Sequence, residues 1–180
     1  MKHLANLLGE SAGIEHAFGC YQLRLPADAW VDVEACDAAV HDAETAFRDG
    51  EFELAMGSAL VANAIARRPF LAGDVSMWSE RRREHLRQVR VRALEVRRRV
   101  ALARGDRAGA ATDAEIVLDL DPYRESANAL LMRAYVADGN PAHAMEAYEQ
   151  LRTRLEEDLG ASPSAETEAV FLDLLRAQGR

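Results

Sequence analysis

The chain has 180 residues, of which 49% are hydrophobic, 29% charged and 6% aromatic, and its formal net charge is −8. A chain of this length can bury about 70% of its unfolded surface, so one core with at most a small appendage is expected, and disordered, collagen-like and low-complexity classes are excluded. It contains no run of about 18 apolar residues and no apolar signal core in its first nine residues, which argues against a membrane span and against export.

The first predicted element is a short β-structure near the N-terminus. Apolar and polar residues alternate over Tyr21–Leu25, after the Phe18-Gly19 pair and before Pro26. Alternation bounded by glycine and proline predicts a hairpin or its second strand. From Asp32 the apolar residues repeat with the helical period, and the first long helix is predicted to end at Gly50. Its predicted inner face comprises Ala35, Ala39, Ala43, Ala46 and Phe47.

An internal repeat organises the helical part of the chain. Gly50, Gly105 and Gly139 are each followed by small or apolar residues at offsets of five, nine and twelve positions. These nine residues are Ala55, Ala59, Ala62, Ala110, Ala114, Val117, Ala144, Tyr148 and Leu151. Gly105 and Gly139 are 34 residues apart, which is the period of a tetratricopeptide (TPR) helical hairpin. Small residues at these offsets allow antiparallel helices to approach closely.

The repeat predicts an all-α fold, a TPR-like stack of three helical hairpins and a capping helix. The hairpins are predicted at roughly Asp32–Arg67, Trp78–Leu120 and Tyr123–Leu159, and the capping helix at about Ser164–Ala177. Gly50 and Gly105 are 55 residues apart, 21 more than the repeat period. We assign this excess to the segment Arg68–Asp74 and to an extended helix over Trp78–Arg104.

Basic residues concentrate between Glu80 and Arg107. This segment holds eleven arginines and four acids, a local charge of +7 that leaves −15 on the other 152 residues. One interpretation is a helix that binds phosphate or docks a partner. The favoured interpretation is a scaffold helix whose arginines meet acids of adjacent helices, because a buried stripe leaves the arginines on most of the circumference. The predicted stripe comprises Trp78, Val89, Ala93, Val96, Val100 and Ala103.

The sequence carries no recognisable catalytic or metal-binding motif. A Gly-rich phosphate loop, HExxH, GxSxG and metal-ligand spacings are all absent, so we predict neither an enzyme nor a cofactor. Cys36 fits a buried position in the first helix and Cys20 lies in the hairpin; their pairing as a redox switch is the less favoured alternative. Two cysteines without CxxC indicate the reducing cytoplasm. The histidines are scattered and suit surface positions: His3, His16, His41, His85 and His143.

Several motifs occur in the order in which a known family has them. They are Tyr21–Pro26, Trp30–Glu34, Arg68–Gly73 with Trp78, Leu120–Ala127, Leu131–Ala134, Ala147–Arg152, Leu159-Gly160 and Pro163-Ser164. From about Tyr21 to Leu175 the chain resembles the bacterial transcriptional activator domain of regulators of the Streptomyces antibiotic regulatory protein (SARP) type.

The resemblance implies two parts of unequal size. Residues 1–26 correspond to the C-terminal remnant of an OmpR-type winged helix, with a short N-terminal helix and a wing hairpin, and residues 27–180 correspond to the activator domain. The resemblance implies contacts with promoter DNA at Lys2, His3, Asn6 and Arg24. Because about 25 residues cannot supply the three helices of a winged domain, promoter binding is expected only where the missing part is supplied.

The leading functional hypothesis is a transcriptional activator domain that acts through protein contacts and oligomerisation in promoter-bound complexes. The resemblance implies RNA polymerase or other regulator subunits as partners, together with homodimer contacts, and no membrane. The alternative is a TPR-like adaptor or docking module from a larger regulator, because stacked helical hairpins expose a groove suited to peptides. Direct nucleic-acid binding by the arginine-rich helix is the least favoured hypothesis.

Overall fold

The computed structural model describes residues 13–178, which form two strands and seven helices. Strands β1 (Gly13–Ala17) and β2 (Cys20–Arg24) pair antiparallel. Phe18 and Gly19, with φ of 53° and 75°, form the two-residue connection, and positive φ at both positions suits a tight hairpin turn. The predicted hairpin is therefore confirmed, while its correspondence to a wing stays a prediction. The short N-terminal helix predicted from the resemblance lies outside the described residues.

The helices follow the predicted order and nearly the predicted bounds. They are α1 (Asp32–Arg48), α2 (Phe52–Ala66), α3 (Met77–Ala103), α4 (Arg107–Leu120), α5 (Glu125–Ala137), α6 (Pro141–Leu159) and α7 (Ala165–Gln178). Gly50, Gly105 and Gly139 follow α1, α3 and α5 with φ of 82°, 79° and 76°. After each glycine, the next amide donates to the carbonyl five residues earlier, the bond that closes a helix C-terminus on a left-handed residue.

The helices pack in sequence as pairs, α1 with α2, α3 with α4 and α5 with α6, and α7 covers α5 and α6. All nine positions of the repeat are buried: Ala55, Ala59, Ala62, Ala110 and Ala114 at 0% exposure, Val117 at 0%, Ala144 and Leu151 at 1%, and Tyr148 at 7%. The predicted all-α, TPR-like stack with a capping helix is confirmed. None of the described helices combines the length and hydropathy needed to span a bilayer.

Helix α3 is buried on two sides, whereas the sequence predicted one stripe. One side packs on α1 and α2 through Leu86, Val89, Ala93, Val96 and Val100. The other side faces α4 and α5 through Val91, Leu94, Arg98 and Ala101. The prediction was wrong for Trp78, which is 58% exposed, and for Ala103, which is also exposed. Both residues lie at the ends of α3, where fewer neighbouring helices cover it.

Candidate protein-interaction surface

Most arginines of the basic segment are engaged by neighbouring helices. Three ion pairs connect it to α1, α2 and α4: Arg92 with Glu44 at 2.6 Å, Arg104 with Glu53 at 2.6 Å, and Arg97 with Asp113 at 3.0 Å. Arg98 is buried and donates from Nη1 to the backbone oxygen of Ser126 at 2.8 Å. The guanidinium of Arg99 lies 4.1 Å from the centre of the Phe47 ring. These contacts support the scaffold interpretation of the arginine-rich helix.

Residues 67–76 connect α2 to α3, and we call them the α2–α3 loop. This segment falls within the 21-residue excess identified in the sequence. Arg83, on α3, folds back onto the loop and donates to the backbone oxygens of Phe70, Leu71 and Asp74 at 3.0, 2.7 and 2.6 Å. The Arg83 side chain therefore fixes the loop backbone at three positions.

A second set of hydrogen bonds fixes the junction of the loop with α3. The Ser76 hydroxyl donates to the Asp74 carboxylate at 2.6 Å, and it accepts from the backbone amide of Ser79 at 3.2 Å as the cap of α3. The hydrogen bonds from Ser76 and Ser79 lower the pKa of Asp74. The loop also contains two left-handed residues, Leu71 at φ 43° and Gly73 at φ 91°. Its conformation is thus set by bonds within the chain.

The fixed loop and the first turn of α3 expose large apolar side chains to solvent. Leu71, Val75, Met77 and Trp78, which we call the loop patch, are 50%, 90%, 74% and 58% exposed. The Trp78 ring packs on Phe70 with the ring centres 5.7 Å apart. Clustered exposed apolar side chains are typical of interaction sites, whereas single ones are common on any surface.

A cavity of about 230 Å³ adjoins the loop patch. It forms because α3 has 27 residues and α4 only 14, so the first part of α3 extends past the end of α4. The α2–α3 loop closes over this overhang. Phe70, Leu86 and Leu120 supply much of the apolar wall. Four arginines also line the cavity: Arg68, Arg83, Arg87 and Arg90.

Two of these arginines are neutralised by carboxylates of their own helix. Arg83 pairs with Glu80 at 2.5 Å and Arg87 pairs with Glu84 at 2.7 Å. Arg87 also donates to the backbone oxygen of Leu120, which ties the end of α4 to α3. The hydrogen bond from Arg87 lowers the pKa of Glu84 to about 2. The charges of Arg83 and Arg87 are therefore compensated, and the two side chains stabilise the cavity wall.

The other two arginines remain uncompensated. Within residues 13–178 no carboxylate lies within 4 Å of the guanidinium of Arg68 or of Arg90. Arg90 donates from Nε to the side-chain oxygen of Asn63 at 3.3 Å, a neutral partner, and Arg68 is exposed. The cavity thus combines an apolar interior with two cations at its wall.

The predicted DNA contacts fall mostly outside the part of the chain that the structure describes. Three of the four predicted residues are outside the described residues, namely Lys2, His3 and Asn6. Arg24 is in β2, where its Nε lies 2.6 Å from the Glu15 carboxylate in an exposed ion pair. Their role in DNA binding stays a prediction.

The other polar residues singled out in the sequence do not converge on a site. Nε2 of His85 lies 2.6 Å from Oδ1 of Asp37, while His16, His41 and His143 are exposed. His3 lies outside the described residues. Among those described, no group of three or more His, Cys, Asp or Glu is placed to hold a metal ion.

The two cysteines occupy different environments. Cys36 is fully buried in α1, and burial raises the pKa of its thiol to about 11. Cys20 is exposed in β2. Both thiols are free, and a buried thiol with a raised pKa is a poor nucleophile. Cys36 therefore serves packing, as the sequence predicted.

Comparison with known proteins places these features in a family context. The model of the bacterial transcriptional activator domain family matches residues 31–175. EmbR of Mycobacterium tuberculosis, solved in complex with a low-affinity phosphopeptide, has a TM-score of 0.72 at 24% identity, covering 91% of this chain and 43% of EmbR. The chain thus spans less than half the length of that protein.

A second solved structure shares the helical-repeat architecture. The C-terminal TPR-containing domain of a Plasmodium falciparum FK506-binding protein has a TM-score of 0.61 at 12% identity, covering 83% of this chain and 94% of the domain. At these identities both likenesses concern the fold. No protein with a curated description matches the sequence significantly.

Proposed function

Because the chain belongs to the bacterial transcriptional activator domain family, we propose that it activates transcription through protein contacts made by its helical stack. The observation that carries the proposal is the loop patch, four exposed apolar side chains on a backbone that Arg83 holds in place. A loop backbone that is already fixed loses little further conformational entropy when a partner binds, so such a surface is suited to docking. The proposed partner is RNA polymerase or another regulator subunit.

Oligomerisation is a further part of the proposal. Helix α2 carries one charged residue, Glu53, and exposes Leu54, Leu60 and Val61 at 59%, 47% and 50%. Glu53 lies on the same exposed side, where its charge is paired with Arg104 at 2.6 Å. The apolar residues of this side can pack against the same residues of a second copy, which suits a two-fold interface. We expect the chain to sediment as a dimer at high micromolar concentration and Leu60→Glu to shift it to the monomer. A wild-type monomer at that concentration would count against this part.

A tethered reporter assay tests the activator function. With the full chain fused to a heterologous DNA-binding domain, we expect transcription from a promoter bearing the matching operator to rise well above that with the DNA-binding domain alone. Trp78→Ser is expected to reduce the stimulation by about tenfold, because an aromatic anchor at a protein interface commonly contributes that much.

The matched control is Trp30→Ser, which replaces a tryptophan that is 70% exposed and lies outside the loop patch. We expect this variant to retain the wild-type stimulation at equal protein level. Equal losses with the two substitutions would remove the loop patch from the mechanism. A fusion that binds the operator without stimulating transcription would contradict the activator function and favour a docking module.

A further inference from the structure

We propose that the cavity between the α2–α3 loop, α3 and the end of α4 binds an acidic peptide segment of a partner protein that inserts one apolar side chain. The inference rests on the proposed function and names the chemical class of the partner. Three observations carry it: the volume of the cavity, the two uncompensated arginines at its wall, and the loop patch beside it.

The volume suits a single large side chain. A cavity of about 150 Å³ lined by apolar groups is enough to hold benzene, and this cavity measures about 230 Å³. Phe70, Leu86 and Leu120 provide apolar contact surface inside it. An anchor such as Leu, Phe or Trp would therefore fill this space and remove the apolar wall from solvent, which is favourable.

The charge at the wall selects carboxylates. Arg83 and Arg87 are already occupied by Glu80, Glu84 and backbone oxygens, so the available cations are Arg68 and Arg90. A guanidinium binds a carboxylate through two parallel hydrogen bonds, which gives geometric as well as electrostatic preference. Two acidic residues of the peptide, one on each side of the apolar anchor, would pair with Arg68 and Arg90.

The loop patch extends the surface beyond the anchor. Trp78 packs on Phe70, which lines the cavity, and Leu71 lies between Phe70 and Ala72, which also lines it. A peptide held at the cavity would therefore continue over exposed apolar side chains, which a small anion would not use. Duplex DNA suits the site less well, because the electrostatic part of duplex binding grows with the number of phosphate contacts and the cavity offers only two uncompensated arginines.

Fluorescence anisotropy with a defined probe tests the proposal. The probe is a fluorescein-labelled peptide of about twelve residues, rich in Glu and Asp, with one central Trp, a length that covers a typical docking groove. We expect saturable binding to the full chain at low salt and weaker binding as salt increases. Arg68→Ala combined with Arg90→Ala is expected to weaken binding at least about tenfold.

The peptide controls separate charge from anchor. A peptide with Gln and Asn in place of Glu and Asp, and one with Ser in place of Trp, are each expected to bind at least about tenfold more weakly. On the protein side, Arg133→Ala with Arg154→Ala removes two exposed arginines outside the cavity and should leave binding unchanged. Thermal melting tests whether each variant is folded. If the double variant does not fold, Arg68→Ala is used alone, because Arg68 is exposed and its replacement should leave the fold intact.

The inference is overturned if Arg68→Ala binds the probe as tightly as the wild type does, or if the neutral peptide binds as tightly as the acidic one. It is also overturned if duplex DNA displaces the probe at a lower concentration than the unlabelled acidic peptide does. Its failure is distinct from failure of the activator function. Reporter stimulation that depends on Trp78, without peptide binding, overturns the acidic-peptide inference alone. Peptide binding without reporter stimulation overturns the activator function alone.

Discussion

Replacing Arg97 with alanine is expected to lower the free energy of unfolding by about 3 kcal/mol, measured by urea denaturation followed by circular dichroism. The side chain of Asp113, on α4, is only 5% exposed and pairs with Arg97 of α3 at 3.0 Å. Removal of Arg97 leaves a buried carboxylate without its cation, and the desolvation of that charge is then uncompensated. The loss therefore reflects the isolated Asp113 more than the net strength of the pair.

The pH dependence of this loss has a defined sign. Burial raises the pKa of Asp113 and Arg97 opposes the rise, so in Arg97→Ala the pKa rises further. Between the ordinary and the raised value the folded state binds more protons than the unfolded state, and the variant loses stability as pH rises through that window. The deficit relative to wild type is expected to be smaller near about pH 4 than at neutral pH.

The matched control is Arg92→Ala on the same helix. Arg92 pairs with Glu44 at 2.6 Å, but the two side chains are 43% and 35% exposed. An exposed pair contributes about 0.2 to 1 kcal/mol, so the control should change stability little. Asp113→Asn added to Arg97→Ala is expected to restore part of the loss, because it removes the orphaned charge. Similar losses for Arg97→Ala and Arg92→Ala at every pH would contradict the assignment.

Leu94→Ala is expected to destabilise the protein by about 4 kcal/mol in the same measurement. Leu94 is fully buried on the side of α3 that faces α4 and α5. Many of its neighbours in that cluster are small, including Ala110, Ala114 and Ala127. Short side chains cannot extend into the space that a leucine leaves, so the cavity persists and the cost lies toward the upper part of the usual range.

Leu102→Ala provides the comparison, because Leu102 lies on the same helix and is 45% exposed. We expect its effect to stay within about 1 kcal/mol, since a surface truncation leaves no enclosed cavity. A loss for Leu94→Ala below about 2 kcal/mol would show that the α3–α4–α5 cluster can collapse around the missing side chain.

The helical stack could be predicted from sequence because its determinants are local and repeated. A glycine that ends a helix and small residues at fixed offsets after it specify a turn and a close helix contact, and neither depends on distant residues. Ala55, Ala110 and Ala144 illustrate this, since each follows its glycine by five positions and each is buried. The hairpin likewise follows from local alternation and a Phe18-Gly19 turn.

The second buried side of α3 could not be predicted in the same way. Arg98 lies within it, between Leu94 and Ala101, and an arginine interrupts an apolar pattern that would otherwise indicate burial. Its guanidinium is accommodated because the backbone oxygen of Ser126, on α5, accepts from it. Which helix faces Arg98 is a property of the assembled stack, as is the exposure of Trp78 at the end of α3.

The sequence did not identify the candidate site. The 21-residue excess located an insertion between the first two hairpins but indicated no binding role for it, and the arginines of α3 look alike in the sequence. Only the structure shows that Arg83 and Arg87 are engaged in holding the loop and the end of α4. Arg68 and Arg90 have no carboxylate partner among the described residues, and Arg90 bonds only to the neutral Asn63 side chain. That division depends on Glu80 and Glu84 lying within reach and on the overhang of α3 beyond Leu120.

The arginine content of α3 also bears on the order in which the chain acquires structure. Arg83, Arg87 and Arg90 succeed one another at intervals of four and three residues, so like charges face each other along an isolated helix and disfavour it. Glu80 and Glu84 offset Arg83 and Arg87 from within α3, but Arg90 has no carboxylate partner among the described residues. Further along, Arg92, Arg97 and Arg104 are paired by carboxylates of other helices. The stability of α3 therefore depends on its contacts with neighbouring helices. We expect the first two hairpins to fold cooperatively rather than one helix at a time.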